Sequence, residues 1–329
     1  MLCDYFNLPT INMTKLTIVH SNDLVEAAYS LSLDEMRLIS LASTKVDSRK
    51  PNVGEIRIDV AEYIKAYGLS NKNSYQDLRE AVKSLMRKPI KIVIEDKVRE
   101  ISWLDMNEYN RSNRGSHVII SFSRYIEPYL FDLKDRFTSI NFEYASRLNT
   151  PFSFRLYQWL IKAKKLNKNK QGEGVVVELE VEWMKCQAAL SGKYEIWRDF
   201  SSDLLKPAIE RINANTDISV IYEPIKTGRK VTAVKFTYVV EVGSEEKPLR
   251  PRLTRRPKVT KGSHEEGVWM RKNLALLLDY EAKLKAYDKA AKLTLPDLRK
   301  MIEYASVAER ELQIRLSDEL KTRKRKNMQ

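Results

Sequence analysis

The sequence is poor in the residues that build stapled or metal-held folds. Cys3 and Cys186 are its two cysteines, and His20, His117 and His264 its three histidines, in 329 residues. Two cysteines make no disulfide framework, and neither has a second Cys or His at metal-ligand spacing; a reducing compartment and no metal are expected. No window approaches the roughly 18 apolar residues of a membrane-spanning helix. The opening MLCDYFNLPTINM lacks the charged-then-apolar order of a signal peptide, so a cytoplasmic protein is expected. The phosphate-binding pattern G-x-x-x-x-G-K-[ST] is missing; Gly192-Lys193 is followed by Tyr194 and has no upstream glycine. There is no H-E-x-x-H, no nucleophile elbow, no carboxylate cluster for two-metal chemistry and no Arg/His/Tyr set of a DNA-cleaving enzyme. These absences argue against an enzyme and against a cofactor.

Positive charge is what the chain has in excess. It holds 58 Lys and Arg against 44 Asp and Glu, a formal net charge of +14. A protein this basic is expected to meet a polyanion. At 43% hydrophobic and 31% charged, it can build real cores, and its length suggests two domains or slightly more.

An internal repeat organises these residues. Glu55–Val60 alternates, with Ile56, Ile58 and Val60 on one side, and reads as a half-buried strand. A short helix follows to Tyr67 and stops at Gly68. After the polar turn Ser70-Asn71-Lys72-Asn73-Ser74, a second helix carries Leu78, Ala81, Val82, Leu85 and Met86, and Pro89 ends it. Ile90–Glu95 opens a hairpin. Residues 177–242 repeat this order: strand Glu178–Trp183, helix Met184–Leu190, turn Ser191-Gly192-Lys193, then a helix with Phe200, Leu204, Leu205, Ala208, Ile209 and Ile212. Strand Ile218–Tyr222, turn Thr227-Gly228-Arg229 and strand Val231–Val242 close it. Pro207 implies that the last helix starts late or kinks, since a mid-helix proline costs about 3 kcal/mol. Each copy is preceded by helix: Asp23–Ser30 capped by Ser21 or Asn22, then Leu33–Thr44 behind an S-x-x-E box of Ser32 and Glu35, and, before the second copy, a helix opened by Thr150-Pro151.

Helix, strand, helix, turn, helix and hairpin make a winged helix. The fold expected is α+β: two tandem winged-helix domains related by internal duplication, plus a basic helical C-terminal extension. The divisions are an N-terminal segment (1–18), two winged-helix domains (19–140 and 141–244), a flexible basic linker (245–266) and the extension (267–329).

A recognition helix buries one face and offers the other to the major groove. The outward candidates are Lys72, Asn73, Ser74, Gln76, Arg79, Lys83 and Arg87 in the first copy. In the second they are Lys193, Tyr194, Arg198, Ser201, Ser202, Lys206 and Arg211. Position by position, a solvated helix face competes evenly with base contact, and Ser201, Ser202 and Asp203 also suit N-caps of a helix restarting near Pro207. Trp197 and Phe200 fall on the apolar stripe and read as core. The wing tips are placed at Lys97–Arg99 and Lys226–Lys230, with Arg229 and Lys230 the stronger cations. Arg111 and Arg114 sit on a loop between strands. Residues 245–329 hold 22 basic and 13 acidic side chains, so much of the charge lies beyond the repeat. Two helical patterns follow the linker, from Val268 to Lys292 and after Pro296, and a basic tail, Lys321–Lys326, reads as solvated.

The repeat resembles the replication initiators of iteron-containing bacterial plasmids, the tandem winged-helix Rep proteins. The stretches that carry the resemblance are His20-Ser21-Asn22-Asp23-Leu24, Glu35-Met36-Arg37-Leu38, Phe154-Arg155-Leu156-Tyr157, Leu205-Lys206-Pro207-Ala208-Ile209-Glu210-Arg211-Ile212-Asn213 and Gly228-Arg229-Lys230. The resemblance implies binding of double-stranded DNA at direct repeats of a plasmid origin, origin opening, and recruitment of a host initiator and the replicative helicase. It also implies self-association in a monomer–dimer balance, with the dimer repressing its own gene, and a dominant reading role for Arg198 to Arg211. A dimeric repressor without a replication role and a protein-interaction scaffold are the competing readings.

Overall fold

The computed structural model describes residues 16–47, 54–70, 73–94, 96–112, 115–130, 133, 136–166, 174–240, 248, 250–287 and 291–326. Up to Val240 they form one compact unit; the rest form a second.

The first unit opens with strand β1 (Thr17–Ser21), helix α1 (Asn22–Glu26) and helix α2 (Leu33–Thr44). Ser21 caps α1 through its side chain, but the helix ends at Glu26, four residues short of the expected Ser30. Residues 27–32 instead run extended, and Ala28 bridges to Lys91. The expected capping box is formed: the Glu35 amide donates to Ser32 Oγ at 3.3 Å and the Ser32 amide to Glu35 Oε2 at 2.6 Å. Strand β2 (Glu55–Asp59) follows, then α3 (Val60–Tyr67) and α4 (Ser74–Leu85). Gly68 ends α3 in the left-handed conformation, φ 60°, the backbone state in which a side chain is least tolerated. On α4, Leu78, Ala81, Val82 and Leu85 are buried as their spacing predicts, whereas Met86 is exposed.

Four strands follow α4: β3 (Pro89–Ile94), β4 (Lys97–Ser102), β5 (Leu104–Tyr109) and β6 (His117–Phe122). Their pairing corrects the placement of the first wing. β2 pairs with β6, and β6 with β5, giving the order β2-β6-β5; β3 and β4 pair only with each other. The second copy has the same three-stranded order. The hairpin equivalent to its wing is therefore β5–β6, whose loop carries Arg111, and not the Lys97–Arg99 hairpin, which is an insertion. The first copy spans Glu55 to Phe122. Both hairpins alternate similarly in sequence; only the pairing partner of β2 separates them. Strand β7 (Phe137–Asn141) returns to pair with β1.

Helix α5 (Phe142–Ala145) and the long α6 (Pro151–Leu166) lead to the second copy. It comprises β8 (Val175–Glu180), α7 (Val181–Gln187), α8 (Trp197–Asp199), a π-helical stretch (Phe200–Leu205), α9 (Lys206–Asn215), β9 (Ile218–Thr227) and β10 (Lys230–Val240), with sheet order β8-β10-β9. The strand ends three residues before the expected Trp183, because Val181, Met184 and Lys185 bury at helical intervals. Pro207 does not delay the helix. The chain is helical from Trp197 to Asn215, and the π stretch lies just before the proline. A proline ring clashes with the carbonyl four residues back and has no amide hydrogen to donate to it; the wider turn accommodates both defects.

Helix α6 ties the segment that precedes the first copy to the second copy. From its inner face Arg155, 2% exposed, donates to the Ala27 carbonyl at 2.7 Å and to the Tyr29 hydroxyl, and its guanidinium lies over the Tyr29 and Trp159 rings. Trp159 Nε1 donates to the Val25 carbonyl at 3.1 Å. Toward the second copy, Tyr157 donates to Asp217 at 2.8 Å, and the Leu160 carbonyl accepts from Tyr238 at 2.5 Å. One apolar core runs through both copies, from Ile18 and Leu38 to Phe236 and Tyr238.

The second unit holds three helices where two patterns were expected: α10 (His264–Tyr287), α11 (Leu295–Ala308) and α12 (Arg310–Lys326). The second pattern breaks at Glu309, and the basic tail expected to be solvated is the last turns of α12. Leu274, Leu277, Leu298, Met301, Leu312 and Leu316 form a separate core. Residues 250–263, expected to be flexible linker, are an ordered strap on these helices. Arg250 binds Asp297, and Trp269 Nε1 donates to the Thr254 carbonyl at 2.8 Å. Among the described residues no helix is long and apolar enough to cross a membrane.

The buried polar groups of the first unit generate two stability predictions. Arg155→Ala leaves the Ala27 carbonyl unsatisfied and opens a cavity, so urea denaturation should show a loss of about 3 kcal/mol. His20 bonds Ser43 Oγ at 2.9 Å; burial, and then the Arg155 charge, lower its pKa from 6.5 to about 4. The folded chain thus refuses a proton that the unfolded chain accepts below pH 6.5. That stability is complete above the unfolded value and falls by about 3 kcal/mol as pH drops to the folded one. His20→Gln should flatten the urea midpoint across that window.

Candidate nucleic-acid interface

In the second copy the candidate face is the run from Trp197 to Asn215. Phe200 is fully buried and meets Phe152 of α6 edge to face with centroids 5.9 Å apart. Leu205, Ala208, Ile209 and Ile212 bury beside it. Arg198, Ser202 and Lys206 are exposed on the other side at four-residue intervals. The wide π turn keeps that spacing close to one line. Arg198 is 83% exposed and bonds Asp199 at 3.2 Å, an ion pair too solvated to hold it. Ser202 donates to Asp203 at 2.7 Å. Asp199, Asp203 and Glu210 alternate with the cations; Asp203, which in sequence also suits an N-cap, makes no cap, since the helix does not restart there. Carboxylates repel phosphate and can accept from the amino group of cytosine.

Several candidates are placed less favourably. Tyr194 takes a left-handed backbone, φ 53°, and its half-buried ring packs edge-on against Phe200 at 6.5 Å; its role is to close the turn, not to point outward. Ser201 is half-buried, its hydroxyl 3.2 Å from that of Tyr222. Arg211 is half-buried one turn before the end of α9, whereas Lys193 is exposed in the turn. At the wing, Thr227 pairs with Lys230 across the two-residue turn Gly228-Arg229. Gly228 has φ 64°, and residues 226–230 are all exposed. Arg229 and Lys230 therefore stand at the end of a long hairpin whose root pairs with β8.

In the first copy, Asn73, Gln76 and Arg87 are exposed and Lys83 half-buried, while Lys72 and Arg114 lie outside the described residues. Ser74 is corrected: it is 2% exposed, and its hydroxyl donates to the Ser70 carbonyl at 2.5 Å. It closes the first turn of α4 and has no access to DNA. Arg79 and Lys83 lie over the Tyr109 ring at 5.1 and 5.3 Å. Tyr109 ends β5, so the helix cations are gathered beside the loop end of the wing hairpin. Tyr75 fixes that wing to the helix. Its hydroxyl accepts from the Asn110 amide at 2.8 Å and donates to the Asn110 carbonyl at 3.3 Å. Gly115 passes so close that a Cβ there would sit 2.5 Å from the Tyr75 ring. The sequence reading missed Tyr75 and Gly115 because neither carries charge. Among the described residues no three His, Cys, Asp or Glu side chains group as metal ligands.

Two helix-and-wing surfaces on one compact unit define a tandem winged-helix protein. Residues 17–161 match the family model "Initiator Replication protein, WH1", and residues 180–238 match "Initiator Rep protein, WH2". The chain belongs to this family, the replication initiators of iteron-containing plasmids. An Escherichia coli "PI protein" is 28% identical over 259 residues, covering 69% of this chain and 84% of that protein. An Escherichia coli "Replication initiation protein" is 23% identical over 228 residues, 68% of this chain and 70% of that one. The crystal structure of a Pi initiator protein in complex with iteron DNA has the same fold, with a TM-score of 0.60 and 23% identity. It matches 69% of this chain and 98% of its own.

Gly115→Ala should cost about 1–3 kcal/mol in urea unfolding, because the buried Tyr75 ring has little room to move. Proteolysis should then cut residues 110–116 faster than in the parent.

Proposed function

We propose that the chain is a plasmid replication initiator that binds direct repeats at a plasmid origin. The carrying observation is that two winged helices, each with an exposed helix face beside a wing, are held in one unit by α6. A protein with two rigidly joined reading surfaces suits a long asymmetric repeat better than a short palindromic half-site. The second copy is the main reader: Arg198, Ser202 and Lys206 face a major groove, and Arg229 and Lys230 reach the flanking backbone. In the first copy Gln76, Arg79, Lys83 and Arg111 add contacts around Tyr109. The solved Pi complex with iteron DNA supports this reading, since the two folds agree across both copies. The finer steps are carried by the family resemblance. They are opening of an adjacent AT-rich segment, recruitment of a host initiator and helicase, and repression of the gene by a dimer. No residue of the reading requires a cofactor or performs covalent chemistry.

The gene with its flanking repeats, cloned on a circle lacking any other origin, should be maintained in a suitable host; failure to replicate there, with repression retained, contradicts the initiator role. Lys206→Ala should weaken binding to the cognate repeat by about 1–3 kcal/mol and relax preference at one position. Arg229→Ala should weaken binding to all sequences alike and make the salt dependence shallower by about one unit. Gel-shift titrations over a salt series separate these two effects.

A further inference from the structure

A cavity of about 250 Å³ opens within the first unit. One wall is the extended segment between α1 and α2, from Tyr29 to Leu31, with Met36 of α2. A second is the first turn of α6. The third is the turn after α7, with Leu204 of the π stretch. The cavity therefore lies in the seam where the segment preceding the first copy meets the second copy. A cavity of about 150 Å³ is enough to hold benzene, so this one has room for an aromatic ring bearing a small substituent.

The lining combines apolar surface with positive charge. Met36, Phe152, Leu190 and Leu204 supply the first; Arg155 and Lys193 supply the second, and no Asp or Glu lines the cavity. Arg155 is 2% exposed and pairs with no carboxylate among the described residues. Its partners are neutral: the Ala27 carbonyl, the Tyr29 hydroxyl and Gln158 Oε1. Its Nε has none. Burial works against its charge and lowers its pKa, yet a guanidinium stays protonated in a protein. A buried charge is ordinarily met by an opposite one, and here the lining provides none.

Two more donors belong to the same walls. Tyr29 is 8% exposed, and burial raises its pKa, so the phenol keeps its proton. Its oxygen accepts from Arg155, but the proton has no acceptor among the described residues. The Phe152 amide, in the first turn of α6, likewise has no acceptor there, and that helix end is the positive pole of its dipole. Unmet donors and an uncompensated cation beside apolar surface are the complement of an anion with an apolar body.

We propose that this cavity binds a small monocarboxylate with a compact apolar body about the size of an aromatic ring. The carboxylate is set against Arg155 and Tyr29, and the body lies among Met36, Phe152, Leu190 and Leu204. The bound molecule bridges the segment preceding the first copy to the turn that leads into the candidate reading helix.

Benzoate is the probe, titrated calorimetrically into the full chain without DNA. Benzamide matches its shape without the charge, and inorganic phosphate carries charge without the ring. Benzoate should saturate one site per chain with a Kd on the order of 1 mM or below, within reach of about nine non-hydrogen atoms. Benzamide and phosphate should each bind at least about tenfold more weakly, since neither combines a charge-assisted bond with apolar burial. Ala188→Leu, which adds bulk to the cavity wall, should abolish saturation by benzoate. A second measurement locates the site without a variant that must fold. In protein labelled at its methionine methyl groups, saturating benzoate should shift the Met36 resonance. Benzoate binding no tighter than benzamide overturns the proposal, and so does an unmoved Met36 resonance at saturation. Parent-like benzoate binding by a folded Ala188→Leu protein does the same. Phosphate that displaces benzoate at equal concentration also overturns it, by revealing a site for a bare anion. None of these readouts involves DNA, so they stand apart from the test of the winged helices.

Discussion

The geometry of the first unit depends on one buried cation. Arg155 sits in the joint between α6 and the segment that precedes the first copy, bonded to the end of α1 and set against Tyr29 and Trp159. A guanidinium removed from water is stable only where its donors are met and its charge is spread. Here a backbone carbonyl, a phenol and two aromatic faces meet most of that need, while the buried Nε has no partner among the described residues. Those partners have fixed positions, so the requirement becomes a positional constraint: α6 can dock on α1 in one way. Because α6 also holds Asp217 and Tyr238 of the second copy through Tyr157 and the Leu160 carbonyl, the same constraint sets α1 against the second copy, and the bridge from Ala28 to Lys91 carries it on to the first. Apolar packing alone would supply the energy but tolerate sliding; the polar joint supplies the register.

A second constraint shapes the candidate reading helix. Proline inside a helix is usually a break, yet the chain stays helical through Pro207 by loosening into a π stretch before it. The stretch widens the turn at the place where Arg198, Ser202 and Lys206 line up outward. Backbone irregularity and the candidate contact face thus coincide, and Phe200, buried against Phe152, anchors the loosened turn to α6. In the first copy the same task falls to Tyr75, which binds helix to wing without any charged group.

Much of this was legible in the sequence. Alternation gave β2 and the core of β10, helical spacing gave α2 and α4, and the Ser32–Glu35 box and Gly68 marked ends that the structure keeps. At the first wing and the strap, where the sequence misled most, a long-range partner had decided the matter. The first wing was assigned to the nearer hairpin because pairing of β2 with β6 spans some 60 residues of chain and leaves no local mark. Ser74 looked like a surface residue because serine fits a surface or a first-turn hydroxyl bond equally well. The strap looked like linker because its basic, proline-broken composition is that of a linker; the acids that order it, Asp297 and Glu266, lie on helices further along. Tyr194 looked outward because its turn, with a left-handed non-glycine residue, was not anticipated.

The central claim is that the two copies engage one duplex together, at a spacing fixed by α6. Selection of bound sites from a randomised duplex library, followed by hydroxyl-radical footprinting of the selected site, measures this directly. The account requires a single site longer than one helical turn, with two protected regions on the same face of the duplex, about 10 base pairs apart, at an invariant spacing. Selected sites covering one groove only, or two protected regions whose spacing varies freely among them, would contradict it.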